Sequence, residues 1–209
     1  LEALAWEESN LVRVCCILAE LAKRDPGGNW SNRPINSLIE ILLPWLRHTS
    51  ASVNKKKVAV KTVVKDVPDI GWKLLIKLLP NQHQISSGTY KPKWNIQTSD
   101  VLNDEISQEE LIEQFSYYAE LAIDVADSDC ERISELVTYF DDLPPNVFDK
   151  LIENLSNERV TSLPDINKQV IWDSLYGFTA KHRRFSDASW ALPDELLVKI
   201  ERVAEDLAP

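Results

Sequence analysis

The side chains most able to bind a metal or attack an electrophile are His48, His83 and His182, with Cys15, Cys16 and Cys130. Their spacing supports neither chemistry. No two histidines stand three or four residues apart, as an HExxH helix requires, and no CxxC pair exists. Cys15 and Cys16 sit in an apolar run and read as small buried hydrophobes. An odd number of cysteines with one adjacent pair is a poor disulfide framework and suits a reducing compartment. Asp25-Pro26-Gly27-Gly28 lacks the Lys-Ser/Thr that completes a phosphate loop, and no GxSxG elbow occurs. Adjacent carboxylates such as Glu109-Glu110 and Asp141-Asp142 fit helix termini, where they cap or face water. The expectation is a chain with no catalytic residue, no metal site and no cofactor.

Three segments have the residue types of recognition instead. Residues 25–34, DPGGNWSNRP, set Trp30, Asn32 and Arg33 between chain breakers. Trp and Arg are favoured interface anchors, although a Trp in such a turn also serves as a lid on a core. Residues 181–190, KHRRFSDASW, gather Lys181, Arg183, Arg184 and Phe185. Near a helix C-terminus these cations complement the dipole; a contact with an anion or nucleic acid, with Phe185 stacking, is the sharper reading. Lys55, Lys56 and Lys57 with Lys61 and Lys65 suggest a cationic helix face, by default a solvated one. The 7 tryptophans are scattered, which suits packing between helices.

Helices must position these segments. Leu11, Val14, Cys15, Leu18 and Leu21 form one helical stripe behind Ser9, a plausible N-cap. A second helix at 35–43 is stopped near Pro44. A third at 53–66 is rich in β-branched residues, and Pro68 opens a fourth. Ser107 and Glu110 form a capping box for a helix running to about Ala126, with Leu111, Phe115, Tyr118, Ala122 and Val125 on one face. Asp129 caps the next, Pro144-Pro145 starts another, a loop at 157–164 leads to a helix at 165–181, and the last follows Pro193. Helices with short connections pack antiparallel. The predicted fold is all-α: an irregular α-solenoid of antiparallel helix pairs, HEAT- or tetratricopeptide-like, with a compact helical bundle as the alternative. Residues 1–209 read as one helical-repeat segment, with sub-blocks 1–80 and 104–209 joined by a long polar loop, 81–103.

Composition bounds the rest. A chain of 209 residues with 44% hydrophobic and 27% charged content is globular. It buries roughly 70% of its unfolded surface without disulfides or metal. The 5 glycines favour helix. No apolar run reaches the ~18 residues of a membrane span, and no signal peptide is visible. A cytoplasmic location without membrane contact is expected. The chain starts at Leu1 and has 0 Met, as expected of a segment of a longer protein. The net charge is −10, with residues 1–100 net positive and the remainder strongly negative. The overall sign disfavours nonspecific nucleic-acid binding, which rests on phosphate neutralisation.

Three strings, DPGGNWSNRPINSLIEILLPW (25–45), PDIGWKLLIKLLP (68–80) and HRRFSDASWALPDELL (182–197), together resemble a region of very large bacterial STAND-type, NACHT-like nucleoside triphosphatases of antiphage defence and signalling. The resemblance spans nearly the whole chain. It implies a helical-repeat, sensor-like C-terminal region whose nucleotide-hydrolysing core and effector lie outside this segment, and whose trigger is often a viral protein. The expected function is a non-catalytic scaffold or recognition module that binds a protein partner. Two alternatives remain open. One is nucleic-acid binding by the basic N-terminal half, which requires Arg33 and Lys55–Lys65 on one face. The other is an unrecognised hydrolase, which requires a pocket holding a His or paired carboxylates.

Overall fold

A computed structural model describes residues 1–30, 32–81, 85–86 and 106–208. Among the described residues every regular element is a helix. In order these are α1 (Glu2–Ala5), α2 (Glu8–Lys23), α3 (Pro34–Leu42), α4 (Val53–Asp66), α5 (Pro68–Leu78), α6 (Gln108–Ala126), α7 (Cys130–Val137), α8 (Pro145–Leu155), α9 (Glu158–Thr161), α10 (Asp165–Arg184) and α11 (Asp194–Leu207). The all-α expectation holds. Helices α1 and α9 escape the sequence reading because a single turn has no 3.6-residue period to detect. Asn157 nonetheless marks α9, accepting the Arg159 N–H at 3.0 Å.

The chain divides into two compact units, Leu1–Tyr118 and Ala119–Pro209, with the boundary inside α6. The predicted linker 81–103 lies outside the described residues except for 81, 85 and 86. The first turns of α6 stay with the first unit through side chains. Arg47 meets Glu110 at 3.3 Å, and Lys57 reaches both Glu113 and the Tyr117 ring.

In the first unit, α2 packs against α3, α4 and α5, and α4 packs against α5. Helix α2 starts at Glu8 with Glu7 as N-cap and no side-chain cap bond, so Ser9 is not its cap. The β-branched α4 forms because Ser52 accepts the Lys55 N–H and because Ala59, Val60 and Val63 are buried together. Its partner α5 approaches closely at Gly71, where an added Cβ would stand 2.5 Å from the Val64 Cα. Only glycine fits that crossing. Thr49 and Ser50 donate to the carbonyls of Ala5 and Trp6, tying α1 to the segment before α4.

In the second unit, α10 packs against α7 and α11, and α11 against α8. Asp129 caps α7 by accepting two N–H groups at 3.1 Å each. An aromatic line runs from Phe148 through Phe140 and Phe178 to His182, with ring centroids 5.0, 5.8 and 4.2 Å apart. The inward face of α6 is rotated from the predicted one. It buries Gln114, Tyr118, Ala119, Ala122, Ile123 and Ala126, while Leu111, Phe115 and Val125 are only partly covered.

Candidate functional site

Hydrogen bonds among Asp25, Gly27, Gly28 and Arg33 brace the turn that presents Trp30. Asp25 accepts the Gly27 N–H at 3.1 Å and the Arg33 Nε–H at 2.8 Å. Arg33 also donates to the Gly28 carbonyl at 3.1 Å. Gly27 and Gly28 take φ values of 90° and 127°, which L side chains rarely adopt. The Arg33 guanidinium holds the Asp25 carboxyl below its ordinary range, so the clamp stays charged at neutral pH. Arg33 is therefore spent inside the turn, while Asn32 is exposed and Trp30 is 82% exposed. The indole is no lid on a core. It is the most exposed aromatic ring among the described residues.

The 181–190 segment separates its residues in the same manner. Arg183 is not available to an anion: its guanidinium bonds both oxygens of Glu201, at 2.8 and 2.9 Å, and Asp194 at 2.7 Å. Those carboxylates raise the Arg183 pKa further, and the Arg183 guanidinium in turn lowers that of Glu201. Lys181 lies over the Trp190 ring at 4.7 Å, and Arg184 over the Phe185 ring at 5.3 Å. Trp190 sits 6.0 Å from Phe185. Lys181, Arg184 and Phe185 thus share one exposed cation–aromatic cluster, and Arg183 belongs to the α10–α11 contact instead.

His182 lies beneath that cluster with 0% exposure. Its Nδ1 accepts the Leu192 N–H at 3.1 Å, which leaves the proton on Nε2, 3.6 Å from Asp141. Burial lowers its pKa, against the pull of Asp141 and with the help of Lys181. The adjoining cavity of about 220 Å³ is lined by Phe140, Asp141, Phe148, Asp149, Leu192 and Lys199 among others. Asp149 is paired with Lys199 at 2.8 Å. The imidazole is sealed behind this lining, and no hydroxyl or thiol nucleophile lines the cavity.

The lysine run does not make one cationic face. Lys61 and Lys65 are exposed, Lys57 is paired with Glu113, and Lys56 points inward with 0% exposure. Lys56, being buried, and Arg33, held by Asp25 in its turn, therefore do not join Lys61 and Lys65 in a shared basic face. Lys56 was hidden by its identical neighbours, yet a signal existed: residues 56, 59, 60, 63 and 67 follow the buried helical period. Its Nζ has no hydrogen-bond partner, and burial lowers its pKa to about 8, against the attraction of Glu110 and with the repulsion of Arg47. Gln114 is its counterpart on α6, aligned with Tyr118 and Ala122 at four-residue steps and buried with an unpartnered Oε1.

The cysteines are free. Cys15 is fully buried, which pushes its thiol up to about 12 and leaves it inert as a nucleophile. Among the described residues no three His, Cys, Asp or Glu side chains group as a metal site, and no helix is long and apolar enough to cross a membrane. His83 lies outside the described residues. Comparison with protein-family models, curated proteins and solved structures finds no match to this chain.

Proposed function

We propose that this chain is a non-catalytic helical recognition module of a larger protein and that it binds a protein partner. The observation that carries this reading is the Trp30 turn. Exposing a whole indole to water wastes the largest apolar side chain available. Clamping the turn around it with an ion pair and two positive-φ glycines reduces the entropy lost on docking, which is how a preorganised anchor gains affinity. The sealed His182, the spent Arg183 and the inert Cys15 support the non-catalytic part of the reading. The α4–α5 pair, joined through Val67 alone, and the α10–α11 pair, joined by residues 185–193, support an irregular solenoid of helix pairs. The strings that resemble the sensor region of STAND-type proteins support a role in trigger recognition, with a phage protein as the trigger.

The test compares two baits, the wild-type chain and Trp30→Ala, expressed in bacterial cells with and without phage infection. Quantitative mass spectrometry then reads the captured proteins. One protein retained by the wild type and lost by Trp30→Ala supports the module. Its appearance only on infection supports the sensor role. Identical captures by both baits would remove Trp30 as the anchor and this reading with it.

A further inference from the structure

The second unit has a trough of about 550 Å³ between α10 and α11. On α10 it is walled by Trp172, Tyr176, Ala180 and Arg183, and on α11 by Glu201, Ala204 and Glu205, with Ala208 just past the helix end. Trp172 and Tyr176 stack at 5.1 Å with their planes 13° apart, and Tyr176 is still 60% exposed. The stack is held by its own helix, four residues apart, so its outer face costs nothing to present. Alanines at 180, 204 and 208 keep the floor shallow enough for a backbone to approach.

The charges around this trough are unbalanced. Of the charged residues lining it, Arg183 is paired with Glu201, which leaves Glu205 as the surplus. Glu205 has no ion-pair partner among the described residues. An aromatic, small-residue trough with a surplus of negative charge selects a ligand that is apolar on one side and cationic beside it.

We propose that the α10–α11 trough takes an amphipathic helix of a protein partner, with its apolar stripe on Trp172 and Tyr176 and a Lys or Arg of its flank paired to Glu205. This rests on the recognition-module reading and deepens it, since it gives the partner a chemistry. It makes a second contact site, independent of the Trp30 turn.

The probe is a synthetic amphipathic peptide of about five helical turns, with Leu on one face and Lys on the other. It is titrated calorimetrically into the full chain. Two controls carry the same length: a scrambled Leu/Lys sequence without helical period, and the amphipathic sequence with Glu in place of Lys. Saturable binding of the Leu/Lys helix is expected, with both controls weaker by about tenfold or more. Tyr176→Ala is expected to weaken it by about tenfold, and Glu205→Lys by several-fold. Tyr176 and Glu205 are surface positions, so both variants keep the fold. Equal affinity for all three peptides, or an affinity that Tyr176→Ala leaves unchanged, overturns the trough as a helix site. If Tyr176→Ala still captures the cellular partner that Trp30→Ala loses, the trough fails while the recognition module stands. If both variants capture what the wild type captures, both readings fail.

Discussion

Each unit completely buries one basic side chain of a helix, and the two are accommodated differently. In the first, Lys56 of α4 is enclosed with its Nζ unpartnered. In the second, His182 of α10 is enclosed with Nδ1 bonded to the Leu192 N–H, while Nε2 makes no hydrogen bond and stands 3.6 Å from Asp141. The histidine becomes part of the scaffold, fixing the 185–193 segment against α10. The lysine has no hydrogen bond, and the attraction of Glu110 does not offset its desolvation, so it carries a standing loss of stability. A polar residue placed inward at the same helical period therefore acts as a strut in one unit and as a liability in the other.

The first unit should prove the more fragile to a change of one carbon. Gly71→Ala places a Cβ 2.5 Å from the Val64 Cα and 3.0 Å from its N. Backbone cannot rotate away as a side chain can, so α4 and α5 must separate. We expect a loss of about 3 kcal/mol, read as a lower urea midpoint. An unchanged midpoint would show that the α4–α5 crossing has slack.

Lys56→Met should move the same unit the other way. The amine falls from 10.5 to about 8 in the folded chain. At about 1.4 kcal/mol per unit the charged form carries a penalty of roughly 3 kcal/mol, and part of the gain on removing it is lost to imperfect repacking. A stabilisation of about 2 kcal/mol is expected at pH 7. The sign with pH follows from linkage. Below pH 8 the lysine is charged in both states and the penalty is complete; as pH rises toward 10.5 the folded form is neutral while the unfolded chain discharges, and the penalty vanishes. The gap between Lys56→Met and wild type should close over that window. A gap that is constant with pH would mean that packing, not charge, sets it.

The histidines sharpen the contrast on the acid side. Burial depresses both His48 and His182 below the ordinary 6.5. The unfolded chain then takes up protons first, so stability is constant above pH 6.5 and falls as pH drops below it. His182→Leu removes the acceptor of the Leu192 N–H and should cost about 1–2 kcal/mol at pH 7. It should also flatten part of the decline between pH 7 and 5. Thermal melts of the two proteins at both pH values check this, and an equal decline would assign the acid sensitivity to His48 alone.

The same contrast explains what could be read from the sequence. Helix ends were legible where a side chain or a proline fixes them: Pro68, Asp129 and Pro193 each stand at an observed terminus. Their signals are local, acting within one turn. The inward face of α6 was misread because Leu111 and Phe115 are apolar while Gln114 is not. Burial of Gln114 is decided by what α6 packs on, not by its own polarity. Arg33 and Arg183 looked like recognition residues for the same reason. Asp25 lies near Arg33 in sequence, but Glu201 comes to Arg183 only once α11 folds back on α10. Residue type carried the chemistry, and tertiary pairing decided whether it was free.

Trp30 tests that distinction at the smallest energetic scale. At 82% exposure it contributes little to the fold, so Trp30→Ala should shift stability by no more than about 0.5 kcal/mol, measured by urea unfolding. A larger loss would return the indole to its alternative role as a lid and make any loss of partner capture a folding effect. A small loss combined with lost capture separates the two, because the turn remains clamped by Asp25 and Arg33 whatever stands at position 30. The side chain would then be what the partner reads, held out by a frame that does not depend on it.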